Sequence, residues 1–491
     1  MKKVVVIGAG LGGLSCAVKL AHAGYQVTIL EQQKEVGGKL QRVKLGDYSF
    51  DRGPSTITMP HAFKNVFEAV GRHMEDYVSF YKLNPATRNR FYDGITVDLT
   101  SDVAHMEEQL AQYSPEDARQ YKVFMRESQA LYEQAERHFM SKLLLNWKDK
   151  ASLSMLQALL RIRPWLPLHK LLQRYFCHPH TLAMFGRYAT YVGSSPYTSP
   201  SIFAMLAHVE ASIGIYGVKG GTYSIVKAFS KLAQELGTEI KTSTSVKQIV
   251  VKEGKAVGVE TNEGGFLAAD LVVANGDVLA VNQYLLQEKD RPSMTNNKIN
   301  KYEPSLSGFV TLLGVKQQYD ALLHHTVFFP EQYGTEFRDI FERKVAPLHP
   351  AIYICYSGYS EASLAPIDGS NLFVLVNTPY TTDDWDWEVQ KKSYSKHILE
   401  NLKHYGIDMA ERAIEQRAWY SPNELRQDTS AHRGAIYGIS SNSVKQTFFR
   451  PSNRSNLENV WFVGGTTHPG GGTPMVTLSG QLVAEKIMKQ A

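Results

Sequence analysis

Three glycine clusters and one carboxylate carry the chemistry written into this sequence. The first cluster is Gly8-Ala9-Gly10-Leu11-Gly12-Gly13, set between an apolar run at residues 4–7 and a helical pattern at residues 14–23. Gly8-x-Gly10-x-x-Gly13 between a strand and a helix is the spacing that receives a dinucleotide pyrophosphate. Gly8 permits the tight turn, Gly10 lets the backbone approach the phosphates, and Gly13 lets the helix pack against the strand. The helix N-terminus adds free N–H groups and the positive end of its dipole. Leu11 and Gly12 lie inside the loop and join the candidate contacts. Glu31 closes a second apolar run at residues 27–30 and can accept hydrogen bonds from a ribose hydroxyl pair. A free 2′-hydroxyl suits FAD or NAD and argues against NADP.

The second cluster, Gly37-Gly38-Lys39, follows the acid closely and lets the chain pass near the far end of an extended dinucleotide. That tips the balance from NAD to FAD, with Lys39 within reach of phosphate or substrate. The third is Gly464-Gly465, continuing through Gly470-Gly471-Gly472-Thr473-Pro474, between an apolar run at 460–463 and a helical pattern at 475–489. So many glycines in so short a run serve close approach of bare backbone. Pro474 suits a helix start. The amides of Met475 and Val476 would then face a second anionic group, such as a flavin pyrimidine edge.

The elements that must position these clusters can be read in outline. The N-terminus is a βαβ unit. Residues 60–240 are dominated by helical patterns, broken by a hairpin at 90–100 around Asp93-Gly94. Strands return at 239–242, 246–251, 256–260 and 271–274, the last ending in Asn275-Gly276-Asp277. Strands and helices alternate through 300–440, with no internal repeat. A chain of 491 residues exceeds one ordinary domain, and 43% hydrophobic residues make it globular. The net charge of +5 is mildly basic, suiting an anionic membrane surface, with no dense Lys/Arg stripe for nucleic acid. Cys16, Cys177 and Cys355 are too far apart for a CxxC motif, so a reducing compartment is expected and no zinc or disulfide framework. No secretory signal is expected, and no apolar run reaches the roughly 18 residues that span a bilayer.

The order of these features resembles one family. The N-terminal loop, Gly37-Gly38-Lys39, Phe50-Asp51-Arg52-Gly53-Pro54, Lys219-Gly220-Gly221 and the C-terminal glycine segment occur in this order in the bacterial carotenoid desaturases and oxidases, the phytoene and dehydrosqualene desaturase superfamily of flavoproteins. The resemblance covers essentially the whole chain. Arg52 stands where the family varies. Tyr191-Val192-Gly193-Ser194-Ser195, Arg433-Gly434-Ala435-Ile436-Tyr437-Gly438 and the stretch from His468 to Gly480 make the chain most similar to the branch that oxidises C30 carotenoids, although desaturases share many of these residues.

The resemblance implies an α/β fold: a Rossmann-like, doubly wound parallel sheet in the FAD domain, a mixed-sheet substrate domain and a helical membrane-facing region. It implies FAD-binding parts at residues 1–80, 216–300 and 441–491, a helical substrate region at 81–215 and a substrate domain at 301–440. It adds Val246 to the cofactor contacts. The implied reaction converts a terminal methyl of a 4,4′-diaponeurosporene-type carotenoid to an aldehyde with O2, hydride abstraction leaving a cation stabilised along the polyene. Alternatives are a desaturase of the same fold, a flavin amine oxidase (whose aromatic cage has no convincing signature here) and a non-catalytic flavin-bound assembly factor. The implied partners are a long-chain carotenoid, oxygen or a quinone as electron acceptor, and a membrane surface, with the protein peripheral on the cytoplasmic side.

The segment 153–175 suits that surface, because leucines, Trp165, Arg161, Arg163, Lys170 and Arg174 alternate around Pro164 and Pro167. An amphipathic core helix would read the same way. The flavin would carry the redox chemistry, so no triad is expected. His468, beside the C-terminal glycines, is the candidate acid or base, and Arg52 is a weaker one. Asp51 is better read as securing backbone N–H groups, and Tyr223 as packing. The histidines form no HExxH or equivalent set, so no metal site is expected.

Overall fold

The computed structural model describes residues 1–145 and 153–490. Strand β1 (Lys3–Ile7) is three valines and an isoleucine after one lysine, an apolar run that only a sheet covered on both faces can bury. It is followed by helix α1 (Leu11–His22) and strand β2 (Gln26–Leu30). β1 pairs in parallel with β2 on one side and with the strand Leu271–Asn275 on the other. Val460–Val463 and Glu239–Lys241 complete a five-stranded parallel sheet at its two edges.

Side chains alternate across this sheet. Val4 and Val6 enter a core shared with α1, the helix Tyr223–Glu235 and the C-terminal helix Thr473–Met488. Val5, Val272 and Ala274 face the other way, onto Ile249 and Val259 of a three-stranded antiparallel sheet (Val246–Lys252, Lys255–Thr261, Phe266–Ala268). The expected double winding is therefore corrected: long helices cover one face, and the second layer is mostly a sheet. The β-branched Val246, Ile249, Val250 and Val251 and a Lys-Glu-Gly-Lys turn make that segment a strand and a hairpin rather than a helix.

A seven-stranded mixed sheet forms the second half of the molecule, in the order Ile414–Tyr420, Ser307–Val315, Ser370–Thr378, Ile352–Tyr356, His325–Phe329, Thr87–Phe91, Thr96–Leu99. Its one parallel pairing joins His325–Phe329 to Thr87–Phe91. The hairpin at its edge turns at Asp93-Gly94: Gly94 has φ +90°, and the Asp93 carboxylate accepts from the Ile95 N–H at 3.2 Å. Helices Val103–Ala111, Pro115–Ala135, Leu153–Ile162, Leu168–Leu172 and Pro179–Gly186 surround a further core beside that edge. Among the described residues no helix is long and apolar enough to cross a membrane.

Candidate active site

The loops that leave the carboxyl ends of the parallel strands converge on one cavity of about 770 Å³. Crevices of this kind are where open parallel sheets bind ligands. Gly8, Gly10, Leu11 and Gly12 reach it from β1, Glu31 from β2, Asn275 to Asp277 from the third strand, and Gly464 and Gly465 from the fourth.

Local backbone demands explain the glycines. Gly8 has φ +93°, and a Cβ there would lie 2.4 Å from the Asn275 carbonyl oxygen. A Cβ on Gly13 would lie 2.3 Å from the Gly8 carbonyl oxygen, so Gly13 lets α1 press on the loop and does not itself line the cavity. Helix α1 starts at Leu11, earlier than its apolar pattern suggests, so Gly12 and Gly13 occupy its first turn. Its cap is Gly10, with no side-chain cap bond and no acid in the first turn, and its leading N–H groups are left to a ligand. The second glycine pair is tied to the first, because Gly37 N–H donates to Ala9 C=O at 2.9 Å.

Glu31 is buried. One carboxylate oxygen accepts from Ala9 N–H at 2.8 Å and the other from Gln33 N–H at 2.9 Å. Burial raises its pKa and these backbone donors oppose the rise. The carboxylate thus braces the glycine loop while lining the cavity. Asn275, to which the sequence reading assigned no role, donates from Nδ2 to Gly8 C=O at 3.0 Å. Its one signal was its place in Asn-Gly-Asp at a strand end.

The C-terminal helix begins at Thr473, behind Gly472 with φ +104°, again without a side-chain cap bond. Gly464, Gly465, Pro474, Met475 and Val476 line the cavity, as do Gly37, Gly38, Lys39 and Val246. This helix and α1 are in direct contact: a Cβ on Gly480 would lie 2.1 Å from the Gly12 carbonyl oxygen, and Ser15 Oγ donates to Thr477 C=O at 2.9 Å. Bare glycine backbone, two uncapped helix N-termini and a carboxylate at the end of β2 fit an extended dinucleotide: phosphate to the amides, ribose to the acid.

Lys39 points its ammonium at the carbonyls of Ala435 and Ile436. Burial lowers its pKa and Asp277 opposes that. Arg52 lines the cavity, pairs with Asp428 at 2.6 Å and lies 4.4 Å from the Tyr420 ring centre. Asp51 accepts from the N–H groups of Thr222 and Tyr223 at 2.5 and 3.2 Å, and Tyr223 packs in the core of the parallel-sheet half. His468 is not part of the lining; its Nε2 donates to Lys142 C=O at 3.0 Å.

Beyond the glycine loops the wall turns apolar, with Met59, Met140, Met205, Leu206, Val209, Val327, Phe373 and Leu375. Set into it is a buried ion pair that the sequence reading missed. Arg187, 6% exposed, lies 3.4 Å from Glu210, 1% exposed. Arg187 also donates to the Tyr191 hydroxyl at 2.7 Å, and Thr87 Oγ1 donates to Glu210 at 2.6 Å. Glu336 lies behind the lining residue Asn377, accepting from its amide at 2.8 Å and from Ala351 N–H at 2.6 Å. Burial outweighs both donors and lifts the Glu336 pKa to about 7. The Tyr353 hydroxyl, also on the wall, sits 2.7 Å from both Ser55 Oγ and His325 Nδ1.

Comparison with known proteins fits this arrangement. The sequence pattern of the flavin-containing amine oxidoreductases matches residues 11–488. The 4,4′-diapolycopene oxygenase of Methylomonas sp is 34% identical over 492 residues, covering 99% of this chain and 98% of that protein. The 4,4′-diaponeurosporene oxygenase of Staphylococcus aureus is 33% identical over 493 residues, with the same coverage of each. Putrescine oxidase with putrescine bound superposes with a TM-score of 0.65 over 99% of each chain at 14% identity. An oxidoreductase from Methanosarcina mazei gives 0.64 over 98% of this chain and 100% of its own at 18% identity. These two structures share the fold.

Proposed function

The chain belongs to the family of flavin-containing amine oxidoreductases, and from that premise we propose that it is an FAD-dependent carotenoid oxidase, converting a terminal methyl of a C30 polyene of the 4,4′-diaponeurosporene type to an aldehyde. The observation that carries this reading is the cavity itself, which runs from a dinucleotide cradle into a long apolar wall. A polar amine would find there Asn377, the Tyr353 hydroxyl and an arginine already paired with Glu210, and among the described residues no carboxylate facing it from the apolar stretch, whereas a polyene finds methionine, valine, leucine and phenylalanine. The overall change, methyl plus O2 to aldehyde plus water, balances without an external reductant.

FAD supplies the hydride acceptor when bound. The chain's own residues hold and shape. Gly8, Gly10, Gly12 and the first turn of α1 would take the pyrophosphate, Glu31 the ribose, and Met475 and Val476 the far ring edge. The apolar wall excludes water and orients the polyene lengthwise. Arg52, held by Asp428 and Tyr420, fixes the loop at the cavity's side.

A water-insoluble polyene has to come from a bilayer, and we assign the docking surface to the segment around Trp165. Leu160 and Trp165 are 59% and 64% exposed, and Arg161, Lys170 and Arg174 are exposed beside them. Apolar rings flanked by cations suit an anionic headgroup layer. The side chains at 153, 154 and 156 lie outside the described residues. A peripheral position on the cytoplasmic face, with oxygen as the electron acceptor, completes the reading.

Anaerobic mixing of the purified protein with a micellar C30 carotenoid tests the enzymatic reading. Flavin absorbance should bleach within the turnover time. An oxidised flavin that persists beside bound carotenoid would make the protein a binding or assembly factor instead.

A further inference from the structure

His324, His325 and Cys355 are brought together by strand pairing. His325 and Cys355 stand directly opposite each other on adjacent antiparallel strands, so their side chains share a face. The His324 ring lies 4.5 Å from that of His325, steeply inclined to it. One ring nitrogen of each histidine and the Cys355 sulfur all lie within 4.8 Å of one another. All three residues are buried, at 7%, 1% and 5% exposure.

Two of these groups are unsatisfied. His324 Nδ1 and His325 Nε2 have no hydrogen-bond partner among the described residues, which is costly for buried polar atoms. The other nitrogen of His325 is committed: Nδ1 meets the Tyr353 hydroxyl at 2.7 Å. A histidine that donates its Nδ1–H to a neighbour presents its Nε2 lone pair elsewhere, the arrangement of a metal-ligating imidazole with its orienting partner. A small void of about 20 Å³ adjoins the cluster, lined by His324, Cys355, Ser55, Asp51 and Glu361.

We propose that His324, His325 and Cys355 bind one borderline-soft divalent transition-metal ion, of which Zn2+ is the type, with the void leaving room for a water as fourth ligand. Two imidazoles and a thiolate are the donor set such ions prefer. In a tetrahedral site the donor atoms sit about 3.5 Å apart, within reach of small side-chain rotations from the observed spread. Burial holds both imidazoles neutral, His324 at about 4 and His325 well below its ordinary value, so their lone pairs are free. Burial also keeps the Cys355 thiol protonated, up to about 12, until a cation displaces its proton. Asp51 adds negative potential at Cys355, and Arg187 opposes it at His325. The ion would clamp the strand that carries Tyr353 to its neighbour and fix the Tyr353 hydroxyl against Ser55 on the cavity wall. This site is independent of the flavin reading.

Flavin-loaded protein is dialysed against Co2+, then against metal-free buffer. Wild type should retain one Co2+ per chain by elemental mass spectrometry and show the visible ligand-field bands of a four-coordinate thiolate site, at wavelengths beyond the flavin bands. Zn2+ should displace the Co2+ and bleach those bands. Cys355→Ser should lose them, whereas Cys177→Ser, at an exposed cysteine, should keep them. Flavin content reports folding, and if Cys355→Ser does not load flavin, His324→Gln is read in its place. Wild type that loads flavin but retains neither Co2+ nor Zn2+ overturns the proposal and leaves the void to water. Equal retention by the flavin-loaded Cys355→Ser or His324→Gln protein overturns it too.

Discussion

At the scale of single residues, the molecule keeps a buried ion pair in the wall of its cavity. Arg187 and Glu210 are held by each other, Tyr191 and Thr87, with Arg187 Nε left without a partner among the described residues, so removing one of the pair strands the other. Glu210→Gln should cost about 3–5 kcal/mol. Replacing both, as Arg187→Met with Glu210→Gln, should recover most of that loss. Thermal midpoints of the three proteins check this, and a double variant no better than the single one would show that the pair is not the unit. Glu336 makes a pH prediction. Its folded pKa of about 7 lies above the ordinary 4.5, so the folded state binds the extra proton between those values. That contribution is complete below about 4.5 and is lost as pH rises through about 7. Glu336→Gln should flatten the stability profile across this window, while forfeiting one hydrogen bond worth about 1 kcal/mol because its NH2 faces a donor. An unchanged slope in urea titrations at several pH values would place the titration elsewhere.

Legibility at this scale followed contiguity. Gly8 to Gly13 could be read because turn, approach and packing fall within six consecutive residues where a strand passes into a helix. Arg187 with Glu210, and His324 with Cys355, could not, because they are joined only by packing or by strand pairing between distant segments. Burial also changes what a residue type means. Glu336 reads as a surface carboxylate in sequence, and nothing local says that Asn377 and Ala351 enclose it.

At the scale of elements, the cavity depends on two helices meeting at their N-terminal ends. Gly480 is the contact that allows it, and it was read in sequence only as the end of a family stretch. Gly480→Ala would drive a Cβ against Gly12 backbone and Ser15 Oγ. The expected result is a loss of about 1–3 kcal/mol and weaker flavin retention, read as the flavin-to-protein absorbance ratio after gel filtration. Gly186→Ala, at φ −63° and with a Cβ no nearer than 3.6 Å to Pro196, serves as the control. Equal retention by both would mean that helix approach does not set the cradle. The segment around Trp165 gives a second prediction at this scale. Trp165→Ala should bind vesicles of anionic lipid several-fold more weakly in sedimentation while leaving the thermal midpoint unchanged, since the ring is mostly exposed. Full vesicle binding by this variant would move the docking surface elsewhere.

At the scale of the whole molecule, one half of the fold was easier to read than the other. Parallel strands with apolar runs and glycine turns announce themselves, so β1, β2 and Val460–Val463 stood out from their neighbours. The mixed sheet did not. Its seven strands come from residues 87–99 and 307–420, and the pairing of Thr87–Phe91 with His325–Phe329 has no local signal. The apolar wall of the cavity draws on Met59, Met140, Met205, Val209, Val327 and Leu375, far apart in the chain, which is why its lining could not be placed from sequence. The proposed substrate class rests on that wall, so the decisive measurement is the product. A host that accumulates 4,4′-diaponeurosporene would express this chain beside a Gly10→Val control, and its pigments would be separated and weighed by mass spectrometry. A new pigment heavier by one oxygen and lighter by two hydrogens, absent from the control and labelled by 18O2, is the expected result. A pigment that has lost two hydrogens and gained no oxygen would contradict terminal oxidation and make the protein a desaturase.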